Sequence, residues 1–195
     1  MDSIVIMNYY LLISIATFVP GINRKIMSNH LFLICPLSFS EHYLIQNISG
    51  NHCFLTALGT TFRFEEIRYV EKINYFLESE KINCITIVHD LQSEIFRNII
   101  NHKKIKDGYF SEVILNHYLN HYKQINACSS QEEKSRELAI MHMQVLHDTI
   151  TNHTILTETI DKKNIVVNGL MIDKTKGKKE FIDYLIFRNQ PSIVK

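Results

Sequence analysis

The chain has 195 residues, enough for one domain with a buried core, and 46% of them are hydrophobic against 21% charged, the balance of a globular protein. Twenty-one Lys and Arg against 20 Asp and Glu leave a net charge of +1. That charge, with no long basic run, gives no electrostatic footprint for nucleic acid. The cysteines Cys35, Cys53, Cys84 and Cys128 form no Cys-x-x-Cys pair, so neither a zinc knuckle nor a thioredoxin-type motif is offered.

The chain opens on an almost uncharged stretch, residues 4–19 (IVIMNYYLLISIATFV), followed by Pro20-Gly21. It falls short of the ~20 apolar residues of a spanning helix and lacks the basic start of a signal peptide. It is expected to be a packed or partner-covering helix, with a membrane anchor as the alternative. Residues 1–26 are taken as an N-terminal arm, 27–195 as a single α/β domain, and Met27 as a second candidate start.

The run HLFLIC is a hydrophobic strand stopped by Pro36. Tyr43 to Asn51 reads as a second strand ending in a Ser-Gly-Asn turn. Apolar residues at helical spacing, Ile67, Val70, Ile73 and Leu77, predict an amphipathic helix between Phe62 and Glu80. CITIVHD is the clearest strand, followed by helices at Leu91–Asn101 and Phe110–Ile125. Ser129 or Ser130 with Glu132 or Glu133 forms a capping box for a helix reaching about Thr151, with Leu138, Met141, Val145 and Leu146 inward. The strand NIVVNGLMID, a turn at KTKGK and a closing strand complete the chain. Strands alternating with helices imply a mostly parallel sheet flanked by helices.

Ligands of such sheets sit beyond the carboxyl ends of the strands. Two of those ends carry metal-capable atoms, Cys35 and His89. Protein zinc sites use three or four ligands, yet three residues after His89 stands Gln92, a neutral amide. Asp90, Glu94, His52 and Cys53 are the other candidates. His117 and His121 share a helix face but lack the glutamate of a zinc-protease motif, so they are read as an exposed polar face; His142, His147 and His153 are read as solvated. The six glycines form neither a dinucleotide-binding nor a P-loop pattern.

The order of these pieces resembles the β-class carbonic anhydrases. ICPLSF stands where that family has Cys-x-Asp-x-Arg, IQNISGN where it has Arg-Asn-Ala-Gly-Asn, and IVHDLQS where it has His-x-x-Cys. MHMQVLHDTITNHTIL resembles its late helix, and NGLMIDKTKG carries Gly169, Asp173 and Gly177 of its last pattern. The resemblance implies zinc ligation by Cys35 and His89, with the second thiolate falling at Gln92. It places the aspartate and arginine that control access to zinc at Leu37 and Phe39, which would make an apolar pocket, either simple core filling or a site for a small uncharged ligand. The expectation is therefore a β-carbonic-anhydrase-like protein with a degenerate zinc site and no cofactor, acting as a binding or scaffold protein. The alternatives are an active carbonate dehydratase holding zinc through a non-standard ligand set, and a membrane-tethered interaction module. The resemblance further implies a cytoplasmic homodimer whose residues 4–19 cover the partner.

Overall fold

The computed structural model describes residues 28–103 and 108–182; residues 4–19 lie outside them. Five strands form one sheet in the order β2-β1-β3-β4-β5: β1 (Asn29–Ile34), β2 (Asn51–Thr56), β3 (Cys84–Asp90), β4 (Val166–Asp173) and β5 (Lys178–Ile182). The first four are mutually parallel, and β5 returns antiparallel to β4. Gly177, at φ 61°, makes the turn between these last two. Asp173 fixes the same turn by accepting bonds from the backbone N–H groups of Thr175 and Lys176 and from the Thr175 hydroxyl.

The central strand β3 is buried along its whole length. That explains its unbroken β-branched run, since a strand covered on both faces needs apolar side chains on both. Its Ile85 and Ile87 join Leu31 and Leu33 of β1 on one face, packed against most of the helices. These are α2 (Ile67–Ser79), α3 (Glu94–Ile100), α4 (Tyr109–Asn120), α5 (Tyr122–Asn126), α6 (Gln131–Asn152) and α7 (Thr154–Lys163). On the other face Phe32, Ile34, Val88, Leu170 and Ile172 form a smaller cluster with Leu44 of α1 (Glu41–Asn47). The apolar crevice between the main face and helices α2, α6 and α7 has a volume of only about 10 Å³, lined by Leu31, Leu33, Phe64 and Leu156 among others. A space of that size is a packing gap rather than a ligand cavity.

The strand expected over Tyr43–Asn51 is mostly the helix α1, and β2 begins where that strand was to end. Helical spacing explains the difference: Leu44 and Ile48 lie four residues apart and both pack into the smaller cluster, while Ile45 is left exposed. The stretch expected to be one helix over Phe110–Ile125 is two, α4 and α5, meeting at His121. Val145, expected inside, is exposed.

The long helix α6 starts as its sequence demands. Ser130 Oγ accepts from the Glu133 N–H at 3.1 Å, and the Glu133 carboxylate accepts from the Ser130 and Ser129 N–H groups. The Ser129 hydroxyl, which also donates to that carboxylate, together with the two N–H groups holds the Glu133 carboxyl below its usual range. Replacing Ser130 by Ala is expected to lower stability by about 1 kcal/mol, measured as a reduced urea midpoint with an unchanged slope.

Candidate functional site

Three chain segments meet at the carboxyl ends of β1 and β3. The strands run parallel with Leu31 opposite Ile85 and Leu33 opposite Ile87. Alternation then turns Cys35 and His89 toward the same helix-covered face. Beyond Ile34 the chain leaves the sheet in a 3-10 turn, Pro36–Ser38, because proline has no N–H to continue the ladder. A second turn, Leu58–Thr60, bridges the two strand ends. The Gly59 N–H donates to Cys35 Sγ at 3.3 Å, and the Thr60 hydroxyl donates to the Val88 carbonyl at 3.4 Å. Glycine is required there: φ is 63°, and an added Cβ would lie 2.6 Å from Ile114 Cδ1 of α4.

His89 is 2% exposed. Its ring stands edge-on to Phe96 of α3, with centroids 4.7 Å apart, and to His142 of α6, at 5.3 Å. His142 is fully buried, and its Nδ1 lies 2.9 Å from Nδ1 of the half-buried His117 on α4. One ring must donate and the other accept, so the pair shares a single proton across that contact. The Nε2 atom of His89 is buried without a hydrogen-bond partner, whereas the backbone of Thr60 and Gly59 lies against the His142 ring and partly opposes the effect of its burial. Burial drives the His89 imidazole down to about 3 and holds His142 well below its ordinary value, with the neighbouring His89 and His117 adding to the latter effect. His117 is lowered too, by burial and by His121.

This trio corrects the expectation that His117 lies on an exposed face and that His142 is solvated. His147 is likewise buried, and His153 is half-buried, its ring accepting from the Ile155 N–H at the start of α7. A signal for His142 was present in the sequence: it sits midway between Leu138 and Leu146, on the apolar stripe of α6.

The remaining candidates go elsewhere. The Oε1 and carbonyl oxygens of Gln92 both accept from the Arg97 guanidinium, and its N–H donates to Asp90 Oδ1 at 2.9 Å. The buried Asp90 carboxylate pairs with Lys174 Nζ at 3.0 Å, and that ammonium also donates to the Ser38 carbonyl. Glu94 is exposed. His52 and Cys53 pair with His30 and Leu31, at the amino end of β1 and so at the opposite edge of the sheet from Cys35. Leu37 and Phe39 are 60% and 77% exposed. They make an open apolar patch instead of the enclosed pocket expected of them.

Zinc would need three or four donors from Cys, His or carboxylate. Cys35 and His89 are two, the Gln92 amide oxygen is engaged by a guanidinium, and Asp90 is engaged by an ammonium. Among the described residues no three His, Cys, Asp or Glu side chains are grouped to hold a metal ion. The donor set does not fit a zinc centre.

The backbone arrangement has counterparts among solved structures. One of two tetrameric β-carbonic anhydrases of the filamentous ascomycete Sordaria macrospora superposes with a TM-score of 0.67 at 14% identity, over 80% of this chain and 81% of that one. The β-carbonic anhydrase CafD of Aspergillus fumigatus, in a mutant form, gives 0.68 at 16% identity, over 82% and 92%. The Coccomyxa β-carbonic anhydrase in complex with acetazolamide gives 0.65 at 10%, over 80% and 72%. The fold is that of the β-carbonic anhydrases. No family model and no curated protein matches the sequence. In this β-carbonic-anhydrase fold, then, the ends of β1 and β3 carry Cys35 and His89, and an imidazole cluster lies beside His89.

Two measurements probe this site. The unfolded chain protonates its histidines near 6.5, whereas folded His89 resists down to about 3. Stability is therefore complete above about pH 6.5 and falls on acidification, by up to roughly 1.4 kcal/mol per pH unit for each such histidine. Urea midpoints at pH 7 and pH 5 should show that fall, and His89→Phe should flatten it; equal wild-type midpoints would contradict the reading. Lys174→Met leaves the Asp90 carboxylate buried without its cation and should cost about 2 kcal/mol by thermal unfolding.

Proposed function

We propose that this chain uses the β-carbonic-anhydrase fold as a non-catalytic binding or scaffold protein that has lost zinc-dependent CO₂ hydration. The observation that carries the reading is the state of Gln92. It stands where the resemblance puts the second zinc thiolate, and its oxygen atoms accept from Arg97 instead of facing His89 as a free donor. Exchanging a thiolate for an amide also removes a formal charge and a soft donor, which lowers zinc affinity steeply. Without the metal, water stays near its bulk pKa of about 15.7 instead of about 7, so no hydroxide is at hand at neutral pH.

The first-motif positions support the same reading. Leu37 and Phe39 occupy the places of an aspartate and an arginine, and neither can accept a proton or form a bidentate ion pair. Their exposure, together with that of Ile45, leaves an apolar surface suited to burial against another chain. The Sordaria relative is tetrameric, and here the partner proposed is a second copy, giving a homodimer in the cytoplasm. Among the described residues no helix is long and apolar enough to cross a membrane.

Elemental analysis of the purified full-length chain is expected to find far less than one zinc per chain. Stopped-flow CO₂ hydration should stay at the buffer rate with zinc added. Stoichiometric zinc with accelerated hydration would overturn the proposal. Light scattering should give a dimer, and a monomer would remove the partner assignment.

A further inference from the structure

The function proposed above leaves the histidine pair of α4, His117 and His121, without a role. The two stand four residues apart at the end of that helix, and the bond from the His121 N–H to the His117 carbonyl, at 3.2 Å, keeps the turn between them α-helical. Side chains so spaced share one face, with Cβ atoms about 5–6 Å apart. That is the spacing by which a helix offers two imidazoles to one metal ion. The rings are near enough for a charge on His121 to disfavour one on His117.

Such a pair binds a metal only if each ring turns a free lone pair outward, and the packing beneath the half-buried His117 arranges this. Its Nδ1 lies 2.9 Å from Nδ1 of the buried His142. The backbone of Thr60 and Gly59 favours the protonated form of His142, as carbonyl oxygens facing an imidazole N–H do. With Nδ1 of His142 turned to His117, the N–H facing that backbone is the one on Nε2. Nδ1 of His142 then holds the lone pair and Nδ1 of His117 the proton, so the lone pair of His117 is on Nε2. A histidine ligand characteristically donates its other N–H to a partner in this way.

We propose that Nε2 of His117 and a ring nitrogen of the partly exposed His121 bind one Cu(II) ion, with water in its remaining positions and His142 as a positioning residue beneath. Imidazole suits copper, nickel and zinc, and Cu(II) heads the affinity order among them. Zinc sites take three or four protein ligands, and among the described residues no third His, Cys, Asp or Glu is grouped with this pair. The ion ties the last turn of α4 to its junction with α5. Neither Cys35 nor His89 takes part, so the site stands whether or not CO₂ hydration has been lost.

The test is a calorimetric titration of the full chain with Cu(II), with electron paramagnetic resonance of the loaded protein. One strong site per chain is expected, with two imidazole nitrogens in its spectrum. His142→Phe removes only the outer hydrogen bond and should weaken binding by about tenfold, and His117→Gln and His121→Gln should weaken it further. Nitrogen-15 shifts of the metal-free chain should show His117 as the Nδ1–H tautomer, reverting to Nε2–H in His142→Phe. His121 lies outside the core, so its variant decides the matter if either of the others fails to fold. Undiminished affinity in His121→Gln, a spectrum without imidazole nitrogen, or a wild-type His117 protonated on Nε2 would each overturn the proposal. Zinc analysis of the same sample reads the function proposed above separately.

Discussion

The structure depends on a histidine held neutral inside the core at the end of its most buried strand. β3 lies between β1 and β4 with both faces covered, and any side chain near its end must either be apolar or find partners in the dry interior. His89 meets that demand only in part, its ring set edge-on against Phe96 and His142 while its Nε2 stays without a hydrogen-bond partner. Desolvation decides its charge state, because no carboxylate among the described residues is close enough to offset the cost of burying an imidazolium. The neighbouring elements follow from this. α6 must carry its own histidine at the matching level, and α4 must bring His117 to the far side of that ring.

Next to this neutral cluster the charged groups are arranged to satisfy one another. Asp90 immediately follows His89, yet its side chain turns the other way, to Lys174 and the Gln92 N–H. Lys174 in turn holds the Ser38 carbonyl, tying the turn after β1 to the turn after β4. The carboxyl end of the sheet is thus divided into a dry face of histidines and a polar face of closed ion pairs and backbone bonds.

Much of the fold was legible from local pattern. The unbroken β-branched run of β3, the proline after Cys35 and the Ser130–Glu133 box each state a backbone requirement that no tertiary contact overrides. α1 was not legible as a helix, because Tyr43-Leu44-Ile45 satisfies either period and only the packing of Leu44 and Ile48 chooses between them. At the site, Cys35 and His89 were readable as strand ends on one face. Of the histidine cluster only His142 left a trace, its place on the apolar stripe of α6. That His142 and His117 meet depends on how α4 crosses α6, which no local spacing encodes. Leu37 and Phe39 were read as enclosing a space, while the turn made by Pro36–Ser38, with Phe39 in left-handed backbone geometry after it, points them outward.

Gly59 has a bearing on the chemistry of the cysteine it touches. Its N–H occupies a lone pair of the Cys35 sulfur, and a Cβ added there would force Ile114 Cδ1, 2.6 Å away, to shift. Cys35 is buried, so a thiol reagent reaches it only when the packing at this corner opens, whereas Cys53 and Cys128 are partly open to solvent. The lag between labelling those two sulfurs and labelling Cys35 becomes a clock for the local opening of the sheet's carboxyl end.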